Sequence, residues 1–215
     1  MEELYLTSYY RFFSAQGQLG LQKLLPIEQA CLEQALSISA QEQVVVLGAL
    51  RSAQALFPQA KKVVQLAAEP LPQTSYIQAA YQALPLRDEH SDLVALPYLL
   101  QWLTEPKQVL EEVYRILKGQ GSLVLWGLQP LHPWCWLNLP QLKPGLSYLS
   151  LRKLLSEHNF LIKRTYWLKW GAVYLIKAEK QQIPLTPLRD KWTLTALEPG
   201  LAQPSLRSAN ANRTS

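Results

Sequence analysis

A chain of 215 residues has the length of one domain, with room for a tail. Apolar residues make up 48% and charged residues 17% of it, a balance that suits a packed core and excludes a disordered chain. The net charge of +5 is uneven: eight Lys/Arg and two acids lie between Lys143 and Lys180, while the first 142 residues carry nine basic and twelve acidic groups. Such an excess suits an anionic partner such as RNA, or simply a solvated face. No apolar run reaches the ~20 residues of a membrane-spanning helix. The start, Met1-Glu-Glu-Leu-Tyr, is acidic where a secretory leader is basic, so the expected location is cytoplasmic. Cys31 and Cys135 have no neighbour at metal spacing, and His90, His132 and His158 form no ligand pattern; no metal site is expected.

In chain order, residues 1–40 read as a helical cap, with Pro26 opening a helix over Glu28 to Leu36. Val44-Val-Val-Leu47 is an all-apolar branched run ending at Gly48, the pattern of a strand buried on both faces. Arg51 to Phe57 reads as a helix stopped by Pro58. Val63 to Leu66 is a second strand, Ser75 to Ala79 a weaker third and Asp92 to Leu96 a fourth. Thr104 is placed to cap a helix with Pro106 in its first turn. Val109, Leu110, Val113, Ile116 and Leu117 form the apolar stripe, with a Glu111–Arg115 pair on the wet side. Gly119 is expected in the left-handed position after that helix. Ser122 to Trp126 is a fifth strand. After a Pro/Trp-rich stretch, a helix around Ser150 to His158 leads to two strands, Phe160 to Trp167 and Ala172 to Ala178, joined through Lys169-Trp-Gly171. From Ile183 onward Pro, Ser, Asn and Arg dominate, as in a partly disordered tail over 183–215.

Strands alternating with helices specify a parallel α/β sheet with right-handed crossovers. Within it, the order Ala83-Leu-Pro-Leu, Asp92-Leu-Val-Ala-Leu-Pro-Tyr98, helix, Gly119-Gln-Gly-Ser-Leu-Val-Leu-Trp126 resembles class I S-adenosylmethionine-dependent methyltransferases. Gly127-Leu-Gln-Pro-Leu-His-Pro-Trp134, Phe13-Ser-Ala-Gln-Gly17, Glu28, and Gly171-Ala-Val-Tyr-Leu-Ile with Ile183-Pro-Leu-Thr-Pro-Leu188 are similar to a bacterial subgroup with a degenerate glycine turn. The resemblance spans roughly residues 10 to 190. It implies a Rossmann-like, seven-stranded methyltransferase sheet over residues 41–182, mostly parallel with an antiparallel C-terminal hairpin and helices on both faces.

It also implies a site for S-adenosylmethionine beyond the carboxyl ends of the strands. The first turn is Gly48-Ala49-Leu50-Arg51-Ser52, keeping the first glycine and placing Leu50 and Ser52 at the family's other two small positions. Leu50 crowds the cofactor's methionine part, whereas Ser52 is small. The acid that accepts the ribose hydroxyls is replaced by Ala67 or Ala68, with Glu69 following late. The acid that meets adenine is replaced by Ala80, leaving Gln82, Ala83 and Leu84 to line that pocket through backbone groups and an amide. Each missing charge-assisted hydrogen bond forfeits roughly 1.5–3 kcal/mol, so two losses weaken or abolish cofactor binding by about a hundredfold or more. Leu96 and Pro97 border the methionine part, and Asp92 is structural.

On the acceptor side the resemblance points to Tyr98, Trp102, His132 and Trp134, with Trp136 nearby. His132 is a weak candidate for a general base, against the plainer reading of an exposed loop residue. Trp134 and Trp136 wall a flat acceptor or pack the loop onto the sheet. Methyl transfer asks mainly for alignment of an already activated donor, so the catalytic residues stay unidentified. Three functions follow: a methyltransferase on an unknown acceptor, an inactive methyltransferase-fold scaffold with a protein partner, or an RNA-associated protein using the basic stretch.

Overall fold

The computed structural model describes residues 43–48, 56–71, 75–133, 146–168 and 171–181. The N-terminal cap, residues 51–55 of the helix expected from Arg51 to Phe57, the residues Ala49, Leu50, Trp134 and Trp136, both cysteines, Lys143, Lys169 and the tail from 183 lie outside them.

Seven strands form one sheet: β1 (Gln43–Leu47), β2 (Lys62–Ala67), β3 (Ile77–Gln78), β4 (Ser91–Pro97), β5 (Leu117–Leu128), β6 (Phe160–Leu168) and β7 (Val173–Lys180). Their order is β3-β2-β1-β4-β5-β7-β6. The first five run parallel, and β7 lies antiparallel between β5 and β6. The central strands are the most apolar ones. Val44 to Leu47, Leu93 to Leu96 and Leu123 to Val124 are fully buried, as two-sided coverage of a parallel sheet demands. The outermost strand β6 alternates instead, leaving Leu161, Lys163, Arg164 and Trp167 exposed.

Helix α1 (Pro106–Ile116) connects β4 to β5, and α2 (Tyr148–Glu157) precedes β6. The stripe expected for α1 is the one it buries: Val109, Leu110, Val113 and Ile116. Three local expectations are corrected. The N-cap is Glu105, not Thr104, because Pro106 already occupies the first helical position. Gly119 does not end the helix. Leu117 turns directly into extended backbone at φ −74, ψ 135, and β5 begins there, five residues earlier than Ser122. Arg115 turns away from Glu111 to Glu112 and Asp88, at 2.7 and 2.6 Å, since the loop before β4 offers it carbonyls as well. Helix α2 starts at Tyr148, where the Ser147 hydroxyl accepts from the Ser150 N–H, a serine cap. Asn159 ends it at φ 58, with its N–H on the Ser156 carbonyl, the left-handed stop that asparagine tolerates. Between β6 and β7, Gly171 takes φ 94.

Asp92 is structural, as expected: its carboxylate accepts the Gln43 N–H at 2.9 Å and pairs with Lys118 at 2.7 Å, joining the starts of β1, β4 and β5. Of the basic stretch, Lys153 pairs with Glu157 and Lys163 with Glu179. Lys180 is largely buried, with its ammonium on the Leu117 carbonyl and 4.5 Å from the Tyr114 ring centroid. Those groups contribute to local structure as much as to an open positive face.

Candidate active site

The strand order reverses between β1 and β4, since β2 and β3 lie on one side and β5 on the other. A crevice beyond the carboxyl ends at such a switch point is where open α/β sheets hold ligands. Gly48, directly after β1, has φ 115, a conformation open to glycine and strained for other residues. Its N–H donates to the Leu66 carbonyl at 2.9 Å, and its own carbonyl accepts the buried Gln65 amide at 3.0 Å. The turn is therefore fastened to β2 on both sides. Gln65 was not singled out in the sequence, although a glutamine inside Val-Val-Gln-Leu is the signal of a buried polar contact.

Beyond β2, Ala68 and Glu69 are half-buried. The Ala67 carbonyl accepts the Ala79 N–H at 3.0 Å, and Gln78 Nε2 donates to the Ala68 carbonyl at 3.3 Å. Gln78 thus brings an amide, also unforeseen, to the corner where the family's two acids are replaced. After β3, Gln82 is half-buried, Ala83 exposed and Leu84 buried. Their backbone is already in use: the Ala83 N–H donates to Ala80, the Leu84 N–H to Glu112 at 2.9 Å, and the Leu84 carbonyl accepts from Arg115 at 3.1 Å. Much of the backbone of this segment is thus already engaged within the fold.

Arg115 organises this corner. Besides Glu112, Asp88 and Leu84, its guanidinium reaches the Leu86 carbonyl at 2.8 Å, a planar fork used on four partners. Bonding to Arg115 holds the Glu112 carboxyl below its ordinary range, against burial that raises it.

At the end of β4, Leu96 and Pro97 are buried. Tyr98 then takes φ 55, and its N–H donates to the Trp126 carbonyl at 3.2 Å. The chain turns through a short 3-10 segment, Leu100–Trp102. Tyr98 and Trp102 are both buried, 3% and 8% exposed. Gln101 Oε1 accepts the Leu128 N–H at 3.0 Å, bridging the ends of β4 and β5. His132 is half-buried in the turn after β5, its N–H on the Gln129 carbonyl at 3.0 Å. Gly127 lacks a Cβ because the Tyr174 ring occupies that space. The Tyr174 hydroxyl donates to the Leu146 carbonyl at 3.3 Å, and burial pushes it well above the ordinary phenol range. Tyr148, Trp167 and Tyr174 stack edge to face around it, with centroids 4.9 to 5.9 Å apart.

Residues 42–125 match the family described as "Methyltransferase domain", which covers β1 through most of β5. Over that segment, which is less than half of the chain, this protein is similar to methyltransferase domains. In fold the chain is similar, at a TM-score of 0.63, to the N-methyltransferase NodS of Bradyrhizobium japonicum WM9, solved with S-adenosyl-L-homocysteine; the match is 15% identical and covers 83% of this chain and 99% of that one. In sequence the chain is 31% identical over 139 residues to the uncharacterized protein YafS of Escherichia coli (strain K12), covering 51% of this chain and 57% of that protein. It is also 31% identical over 97 residues to the malonyl-[acyl-carrier protein] O-methyltransferase of Marinomonas sp. (strain MWYL1), covering 41% and 36%. The chain thus spans less than two thirds of either curated relative.

The residues at the switch point offer a turn glycine and a few polar side chains. Gly48 has φ 115 directly after β1, and Glu69, Gln78 and Gln82 follow the ends of β2 and β3 or lie within β3. Among the described residues, no helix is long and apolar enough to cross a membrane, and no three His, Cys, Asp or Glu side chains cluster as metal ligands.

Proposed function

We propose that this protein is an S-adenosylmethionine-dependent methyltransferase. The observation that carries the reading is Gly48 at φ 115, fastened to β2 at the reversal point of a β3-β2-β1-β4-β5-β7-β6 sheet. Gly48 and Ala49 would face the cofactor's methionine part, together with Leu96 and Pro97. Glu69 would take the ribose, and Gln82 with the Ala83–Leu84 surface the adenine. When bound, the cofactor supplies a methyl group on an electrophilic sulfonium. The chain's own residues hold the acceptor in line and exclude water. Leu96, Pro97, Tyr98 and Trp102 are buried, which suits that exclusion, and His132 would take the proton of an acceptor that needs a base.

Calorimetry of the full chain with S-adenosylhomocysteine tests the reading. Saturable micromolar binding is the expected result, and millimolar or absent affinity overturns it. Leu50 and the replaced nucleoside acids favour a second reading, a methyltransferase-fold scaffold that binds a protein instead of the cofactor. Leu50→Gly separates the two, since it tightens cofactor binding if Leu50 merely crowds the site. The cytoplasm is the compartment we assign to either. RNA binding through the Lys143 to Lys180 stretch is the weaker option, and an affinity insensitive to salt would remove it.

A further inference from the structure

Among the described strands β6 is outermost and pairs with β7 alone, so its second backbone edge faces away from the sheet. A strand of nine residues with a free edge is a template for another extended chain. The register shift lies between Ile162 and Arg164, which leaves Arg164 to Leu168 as the regular part of that edge.

Register divides the side chains there between two faces. Trp167 lies opposite Tyr174, and Arg164 opposite Lys177. Alternation along β7 puts Tyr174 and Lys177 on opposite faces. The Trp167 face is the one packed by α2, since Tyr148 meets both Trp167 and Tyr174 edge to face. Trp167 nevertheless stays 49% exposed. On the other face Arg164 is exposed and Lys177 half-buried. Glu179 shares that face but is taken by Lys163 at 3.0 Å. Neither Arg164 nor Lys177 has a carboxylate partner among the described residues. Like charges held directly across a strand pair repel and destabilise it.

These side chains disfavour one occupant and describe another. Antiparallel pairing of β6 with a second copy, centred on the strand, would set its cations against cations. We propose that the free edge of β6 receives an extended segment of a protein partner in which acidic and apolar residues alternate. An acid opposite Arg164 neutralises that guanidinium and offsets the repulsion from Lys177. Apolar residues on the other face of the added strand cover Trp167. Main-chain hydrogen bonds along the edge supply affinity, and the two sets of side chains supply selectivity. The proposal goes beyond the methyltransferase reading and stands whether or not the cofactor binds.

The test uses the full nitrogen-15-labelled chain and a short fluorescein-labelled peptide of alternating glutamate and valine. Binding is read by fluorescence anisotropy and by amide hydrogen exchange, with a lysine–valine peptide and oligouridylate as controls. The expected result is saturable, salt-sensitive binding of the glutamate–valine peptide with new protection of amides within Arg164 to Leu168, and none with lysine–valine. Arg164→Glu, which sets acid against acid, should weaken that binding by about tenfold or more. Trp167→Ser should weaken it by a smaller factor; both variants are checked for native melting. No binding, binding that leaves those amides unprotected, equal binding of the lysine–valine peptide, or unchanged affinity in either variant would overturn the proposal. Tighter binding of oligouridylate than of the peptide would overturn it in favour of a nucleic-acid face.

Discussion

Gly127 and Asn159 show how single residues are dictated by contacts distant in sequence. A Cβ at position 127 would collide with the Tyr174 ring across the β5–β7 pair. Gly127→Ala should therefore destabilise the fold by about 1–3 kcal/mol, the usual scale of overpacking, read as a lower urea midpoint with unchanged slope. Asn159 sits at φ 58, where a branched side chain is strained. Asn159→Val should cost about 1–2 kcal/mol, while Asn159→Gly should leave the melting temperature nearly unchanged or slightly raised. Neither effect was visible in the sequence, where Gly127 reads as a loop glycine and Asn159 as an ordinary polar residue. The opposition of Arg164 and Lys177 was equally hidden, because register between strands exists only after they pair.

At the scale of elements, α1 and the loop from Leu84 to Asp88 behave as one unit clasped by Arg115 and Glu112. Arg115→Ala removes its bonds to two carbonyls and two carboxylates. Because the group is partly exposed, the cost should be about 1–2 kcal/mol, seen as faster amide exchange over residues 84–88. Glu112 adds a pH dependence with a definite sign. Its carboxyl is held below the ordinary value by Arg115, so its stabilising contribution is fully present above the unfolded value of about 4.3. That contribution is lost as pH falls through the lowered folded value. Melting temperature followed from pH 6 to pH 3 should drop less steeply for Glu112→Gln than for the natural chain. The α1 stripe was readable from its 3.6-residue period. Its ends were not, because Pro106 takes the first helical position and β5 captures Leu117 before Gly119 is reached.

For the whole molecule, the decisive prediction concerns linkage between ligand and fold. A ligand held only by the folded state stabilises it by about 2.7 kcal/mol at a hundredfold excess over its dissociation constant. For a chain of this size that corresponds to a rise in melting temperature of about 5–11 °C, measured with S-adenosylhomocysteine. A rise under 1 °C at millimolar ligand would favour the scaffold reading.

The alternation of branched apolar runs with helical periods was enough to specify the parallel sheet, because strands buried on both faces admit little else. It also located Gly48, the fourth-strand rim at Leu96 and Pro97, and the antiparallel closing pair. Tertiary structure alone decided the partners: Gln65 on the first turn, Gln78 beside Ala68, Arg115 on the 84–88 loop, and Gln101 bridging β4 to β5. Hydrophobic periodicity is a local property carried by each segment. Hydrogen-bond satisfaction is a property of pairs far apart in the chain, and only the closed fold assigns them.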